Sequence, residues 1–335
     1  MCPLFAGDSV MSLKKTCASV KKYNNFLITV HTSPEGDALG SQLAFYNLIK
    51  KLGKSGTIIN EDALPYGYDF LPGNELILRP GKGTKHINFA DFDCFVVLDC
   101  ADLKRTGSIY KLNSGNNPVL NIDHHISNRN FGSVNWVEPG ASSCSEMIYK
   151  LYKRLRLPID KETALLLYTG IMTDTGSFRY SNTSGFTHKA VAELLGSGLD
   201  VARVYRNTYE NIPQSDIRLL LKVLPEMRFY CRGRIAWFII KKELLKSGKP
   251  RVDLADLILS FGRAIEGVEV VALFKENLGE NDEVRVNLRS QGKVDVNMVA
   301  SFFGGGGHKT AAGCTLHGDI VKISKKVLNK IKEGF

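Results

Sequence analysis

Short, continuously apolar runs alternate with longer stretches of mixed polarity over residues 24 to 180. "FLITVH", "GTIIN", "DCFVVLD" and "NPVLNID" are rich in branched and aromatic residues and lack strict alternation. Such runs predict strands buried on both faces. Between and after them the period changes. "ALGSQLAFYNLIKKLGK" places Leu39, Leu43, Phe45, Leu48, Ile49 and Leu52 at helical spacing, and "SSCSEMIYKLYKRL" and "DKETALLLYTGIMTD" read as helices too. Strands alternating with helices predict an α/β fold, a doubly wound and mostly parallel sheet covered on both faces.

Residues 187–225 continue as helix, with "THKAVAELLGSG" ending on glycines. Near 226 the pattern shifts to strand-like "EMRFYCRGRIAWFIIKKELL", "GVEVVALFKEN" and "EVRVNLRS". A glycine-rich "FFGGGGHKTAAG" and a basic terminal helix, "DIVKISKKVLNKIKEGF", complete it. The expected organisation is a catalytic-type domain over 15–190, a helical connection over 191–230 and a smaller α+β domain over 231–335.

At 335 residues the chain has room for two sizeable cores, and its 44% hydrophobic and 23% charged content is ordinary for a globular enzyme. The net charge of +10 favours polyanionic partners such as nucleotides or nucleic acid. No stretch approaches the roughly 20 apolar residues of a membrane helix. The first residues make a poor signal peptide. Met11 offers a second possible start, which would leave the first ten residues as a disordered extension. Seven scattered cysteines without a C-x-x-C pair argue against zinc ribbons and disulfide frameworks, and fit a reducing, cytoplasmic setting.

Candidate chemistry gathers at strand ends. His31 ends the first predicted strand, with Glu35 and Asp37 in the loop beyond; Asp99 ends the third; Asp123, His124 and His125 end the fourth. Asp174 closes the helical "LLYTGIM". A strand-terminal aspartate alone is commonly a cap or turn former. Convergence on the carboxyl edge of one parallel sheet is different, because that edge is where open α/β sheets bind ligands. Carboxylates and imidazoles without thiolate suit a moderately hard divalent ion, Mn²⁺ ahead of Mg²⁺, Co²⁺ or Zn²⁺. Four carboxylates and two histidines are too many for one open ion and about right for two that share a carboxylate, an arrangement that serves phosphoryl transfer.

"HTSPEGDALGS", "VVLDCAD", "NIDHHISN" and "YTGIMTDTGSFRY" resemble, in order, the four motifs of the DHH phosphoesterase superfamily. "LRSQGKVDVNMVASFFGGGGHKTAAG" is similar to the DHH-associated C-terminal domain. The resemblance runs from residue 26 to about 317, and the two-domain layout is that of the nanoRNase/pAp phosphatase group. It implies Mn²⁺-dependent release of mononucleotides from very short RNA, removal of the 3′-phosphate of adenosine 3′,5′-bisphosphate, or both. It further implies that His31, Glu35 and Asp99 hold one metal and that Asp37, Asp99, His124 and Asp174 hold the other, with Asp99 bridging. His125 would face the scissile phosphate as electrophile or general acid, and Asp123 would orient a ligand. Glu35 stands where the family usually has aspartate, which bears on the geometry of the first metal.

In the second domain Arg289 offers a bidentate fork beside Ser290. Gly305, Gly306 and Gly307 bring backbone N–H groups close to phosphate, and His308 could meet a base. A cleft between such domains would hold only a few nucleotides. Two other functions compete: a phosphodiesterase of the cyclic-dinucleotide pathway acting on c-di-AMP or pApA, and a catalytically weak nucleotide-binding regulator. A short RNA or small nucleotide is the expected partner, no membrane is expected, and a homodimer is compatible with the layout.

Overall fold

A computed structural model of the chain describes residues 4–113, 116–246, 250–276 and 282–335. It divides into two compact units, Met1–Glu210 and Asn211–Phe335. The first contains α1 (Leu4–Lys22), β1 (Asn25–Thr29), α2 (Gly36–Lys51), β2 (Ser55–Ile59), β3 (Ile77–Leu78), β4 (Cys94–Leu98), β5 (Val119–Asp123), β6 (Val134–Val137), α3 (Cys144–Leu155), α4 (Lys161–Asp174), α5 (Gly185–Leu195) and α6 (Val201–Tyr209).

All six strands are parallel, in the order β3-β2-β1-β4-β5-β6. The four strands foreseen from their apolar runs form its centre. Their side chains split by the period of two. Phe26, Ile28 and Val96 enter the larger core, to which α1 through α6 all contribute, while Leu27, Phe95 and Val97 enter a smaller core on the other face. That second face is closed by Phe89, Leu103, Ile109, Tyr110 and Leu112, carried on short 3-10 turns at 89–91, 103–106 and 109–112. The strand order reverses between β1 and β4, so their carboxyl ends open a crevice.

Three helices meet beneath that crevice because two glycines allow it. A Cβ on Gly40 of α2 would lie 2.4 Å from the Leu166 carbonyl oxygen of α4. One on Gly170 of α4 would lie 2.0 Å from Ser145 Oγ and 2.8 Å from Asp37 Oδ1. Any side chain at either position would push α2, α3 and α4 apart.

The second unit contains α7 (Gln214–Val223), β7 (Arg228–Tyr230), β8 (Ile235–Ile240), α8 (Lys242–Lys246), α9 (Leu254–Arg263), β9 (Val270–Glu276), β10 (Glu283–Ser290), α10 (Val296–Phe302), β11 (Gly306–His308), β12 (Ala311–His317) and α11 (Ile320–Lys332). Its mixed sheet runs β11-β12-β10-β9-β8-β7, with β8 and β9 the parallel pair. Helices α10 and α11 cover one face, α7 and α9 the other. Asp216 of α7 ties this unit together: its Oδ2 accepts the N–H groups of Arg251 (2.6 Å) and Val252 (3.0 Å), just before α9.

Four elements differ from the sequence pattern. Residues 4–10 are helical, as part of α1, rather than an irregular extension. β3 and β6 extend the sheet at its two edges, and α9 lies between segments that read only as strand and loop. Within the helical connection expected over 191–230, α6 packs in the first unit and α7 in the second.

Candidate metal centre

The parallel register brings the strand-terminal residues to one edge. His31 follows β1, Asp99 follows β4, and Asp123 ends β5 with His124 and His125 next. Asp37 comes from the first turn of α2 and Asp174 from the last turn of α4. Asp99 sits at the hub. Its Oδ2 lies 3.6 Å from His31 Nε2, and its Oδ1 lies 3.5 Å from His124 Nε2 and 3.7 Å from His125 Nδ1. His124 Nε2 is also 3.6 Å from Asp174 Oδ2 and 3.9 Å from Asp37 Oδ2. Asp99 holds a left-handed backbone, φ +52°. For a residue other than glycine that conformation is uncommon, and it concentrates at functional sites.

The tautomers can be read from the ring nitrogens on the far side. His31 Nδ1–H donates to the Thr32 carbonyl at 2.7 Å, and His124 Nδ1–H donates to the Ala141 carbonyl at 3.4 Å. In the neutral rings both Nε2 lone pairs then face carboxylate oxygens. Acceptor facing acceptor repels unless a proton or a metal ion lies between. Asp99 Oδ1 is buried with no hydrogen-bond partner among the described residues. Separations of 3.5–3.9 Å are long for hydrogen bonds. They suit donor atoms that share a cation through bonds of about 2.1 Å. The donor set therefore fits a divalent metal.

Electrostatics leads to the same conclusion. Burial opposes charge on His124, but the charges of Asp174, Asp99 and Asp37 overcome it and hold its pKa well above the usual range. His31 is likewise raised: burial opposes its charged form, and the interaction with Asp99 wins. Burial and the neighbouring Asp99 charge push Asp37 up to about 6, and burial drives Asp174 well above the carboxylate range. Asp99 goes the other way, since its interactions with His124 and His31 outweigh its burial. A pocket with this pattern takes up protons or cations.

Asp37, Asp123 and Asp174 are held from behind. Both Asp37 oxygens accept N–H groups at the start of α3, from Cys144 at 2.6 Å and Ser145 at 2.8 Å. Asp123 Oδ1 accepts from His125 Nδ1 at 2.7 Å, and its Oδ2 accepts from Asn128 Nδ2 at 2.5 Å. Asn182 Nδ2 donates to the Asp174 carbonyl (3.1 Å) and to the Ser142 carbonyl (2.9 Å). Asn128, Asn182 and the α3 terminus were not singled out from sequence. "SSCSE" does contain the Ser-x-x-Glu signature of a helix start, and Ser143 Oγ accepts from the Glu146 N–H at 3.0 Å. Nothing local says that this helix start holds Asp37.

Among the described residues of the first unit two close groups lie wholly within it, Asp37 with Asp99 and His124, and Asp99 with Asp123 and His125, each with donor atoms within 4.8 Å of one another. Asp99 belongs to both. Glu35 belongs to neither: it is the exposed N-cap of α2, without a side-chain cap hydrogen bond, and its charge still raises the pKa of His31 and of Asp174.

In the second unit Arg289 Nη2 bridges to Asp256 Oδ1 at 2.8 Å. Ser290 is buried, its hydroxyl donating to Glu269 Oε1 (3.2 Å) and accepting the Gly292 N–H (2.9 Å), so it is occupied within the second unit. Gly305 and Gly307 are demanded by β12: a Cβ would lie 2.2 Å from the Gly313 carbonyl oxygen or 2.4 Å from that of Ala311. Gly306 and His308, in β11, are half-buried.

A doubly wound parallel sheet with aspartates and histidines gathered at its switch point, followed by a mixed-sheet unit, is a two-domain phosphoesterase architecture. Residues 25–171 match the DHH family, N-terminal domain, and residues 251–333 match the DHHA1 domain. The chain belongs to the DHH/DHHA1 phosphoesterases. It is similar to the bifunctional oligoribonuclease and PAP phosphatase NrnA of Thermus thermophilus, at 32% identity over 91% of this chain and 89% of that one. The protein of the same name from Bacillus subtilis is 28% identical over 89% of this chain and 91% of the relative. Among solved structures, an exopolyphosphatase-related protein from Bacteroides fragilis superposes with a TM-score of 0.84 at 27% identity, covering 96% of each chain.

Proposed function

We propose that this phosphoesterase is a two-metal phosphohydrolase that releases mononucleotides from very short oligoribonucleotides and removes the 3′-phosphate of adenosine 3′,5′-bisphosphate. The observation that carries the reading is Asp99, shared by two donor groups, with a buried oxygen that no hydrogen bond among the described residues satisfies. Similarity to two bifunctional oligoribonuclease and PAP phosphatase proteins supports the substrate class.

In this reading His31, Glu35 and Asp99 hold one ion and Asp37, Asp99, His124 and Asp174 the other, with Mn²⁺ the best match to the donors. When bound, such ions supply Lewis-acid charge to a phosphoryl oxygen and activate water. The chain supplies orientation and a proton. Asp123 fixes His125 through Nδ1, and as general acid the ring would protonate the leaving oxygen through Nε2 as the P–O bond breaks. Asn128 keeps Asp123 from turning away. In the second unit Arg289, Gly306 and His308 recognise substrate. The Arg289–Asp256 bridge is mostly exposed on its aspartate side, so a phosphate can replace the carboxylate at little cost.

The test is hydrolysis with Mn²⁺ of a panel comprising adenosine 3′,5′-bisphosphate, pApA, RNA of two to five nucleotides, a 24-mer and pyrophosphate. Turnover of the bisphosphate and the shortest RNAs is expected. Preference for the 24-mer or for pyrophosphate would overturn the reading, and exclusive turnover of pApA would assign the chain to cyclic-dinucleotide breakdown instead.

A further inference from the structure

We propose that Arg105 is a substrate-binding residue of the first unit, presenting its guanidinium to a phosphoryl oxygen at the rim of the aspartate–histidine cluster. The assignment rests on the functional reading above. The Thr32 N–H donates to the Arg105 carbonyl at 2.7 Å, which sets Arg105 alongside the residue that follows His31. Its position is on the turn after β4, across the crevice where the strand order reverses.

That turn is firmly held. Asp102 Oδ1 accepts the Lys104 N–H at 3.0 Å, and Thr106 Oγ1 donates to the Leu103 carbonyl at 2.8 Å. Gly107 (φ +68°) packs so closely on Glu61 that a Cβ there would lie 2.5 Å from its Cγ. Only the backbone of Arg105 takes part in these contacts. Its side chain is exposed and makes no hydrogen bond or ion pair among the described residues.

The nearby acids explain why. Glu61 Oε2 accepts both the N–H and the hydroxyl of Ser108 at 2.6 Å, Asp62 accepts the Ser33 N–H at 2.7 Å, and Asp102 pairs with Arg129 at 2.9 Å. Three carboxylates around the turn are thus committed elsewhere, and Arg105 keeps an uncompensated charge. The backbone bond to Thr32 ties the residue that carries this charge to the loop that follows His31. A polyanionic substrate approaching four aspartates needs a cation of this kind, and a planar fork matches phosphate oxygens in pairs.

Arg105→Ala and Arg105→Lys decide the matter through two readouts. Loss of a charge-assisted pair should raise the Michaelis constant for adenosine 3′,5′-bisphosphate and dinucleotides about tenfold or more, with a smaller effect on turnover and an intermediate lysine variant. In calorimetric titration with Mn²⁺ present, AMP should bind Arg105→Ala about tenfold more weakly than wild type, with adenosine affinity unchanged. Melting temperature and Mn²⁺ affinity should stay at wild-type values. An unchanged Michaelis constant, or a loss confined to turnover and Mn²⁺ affinity, would overturn the assignment. A wild-type chain that hydrolyses nothing in the panel would refute the functional reading alone. The AMP titration still judges Arg105 then, and equal affinities or no binding by wild type would reject it.

Discussion

Substituting Gly40 by alanine tests the idea that helix approach, rather than the ligands alone, builds the centre. The added Cβ would sit 2.4 Å from the Leu166 carbonyl oxygen, 3.2 Å from the Gly170 nitrogen and 3.3 Å from Ser145 Oγ. An ordinary carbon–oxygen contact needs close to 1 Å more than the first of these. The obstructing atom is helix backbone and cannot rotate aside, so α2 and α4 must separate. Overpacking of this severity costs about 3 kcal/mol, and alanine's better helix propensity returns about 1 kcal/mol. A net loss of about 2 kcal/mol should lower the melting temperature of the first unit by about 4–8 °C. Gly185→Ala is the control: it lies in the first turn of α5, at an ordinary φ, with nothing within 4 Å of the new Cβ. It should leave the melting temperature unchanged or raise it slightly. Because α2 carries Asp37 and α4 carries Asp174, a shift approaching 1 Å should also cut hydrolysis about 100-fold. Calorimetric melting, Mn²⁺ titration and turnover on the same preparations give the answer. A Gly40→Ala protein that melts with wild type would show that the close helix contact does not constrain the centre.

Other outcomes follow from single sites. Asp99→Asn keeps a residue that tolerates the left-handed backbone while removing the shared charge, so it should fold normally and lose at least 100-fold in turnover; wild-type turnover would refute the two-metal assignment. Glu35→Gln should weaken Mn²⁺ binding at one site by about 10-fold or more, read by calorimetric titration; an unchanged curve would mean that Glu35 is no ligand. Asp216→Ala leaves the Arg251 and Val252 N–H groups without their acceptor and should cost about 2 kcal/mol in the second unit at pH 7. Burial works against the Asp216 carboxylate, but the N–H groups of Val252 and Arg251 outweigh it and depress its pKa. Its contribution is therefore complete above the unfolded value of about 3.9 and fades as pH falls through the lower folded value, so the gap between wild type and variant in chemical denaturation should shrink as the pH is lowered through that range. Burial pushes the Cys94 and Cys100 thiols up to about 12, so in a Cys2→Ser background a thiol reagent at pH 8 should label half-buried Cys231 well before either.

Much of the centre was legible because its residues are tied to strand ends. Runs such as "CFVVL", alternating with helical segments, fit strands buried on both faces of a parallel sheet, and a parallel sheet puts the residues after β1, β4 and β5 on one edge whatever the loops do. His31, Asp99 and Asp123–His125 were therefore placed by local pattern. β3 has two residues, too few for any period, and α9 begins within a stretch whose neighbours on both sides read as strand. What holds the centre in place was not legible at all. Asp37 meets N–H groups 107 and 108 residues later, Asp99 takes a left-handed backbone, and Gly40 is needed because the Leu166 carbonyl arrives against it. Ser290 reads as a polar strand end available to ligand, yet Glu269, an acid 21 residues earlier, has already taken its hydroxyl. Periodicity reports which way a side chain faces within its own element. Which distant atom it meets depends on how whole elements pack, and only the folded chain sets those distances.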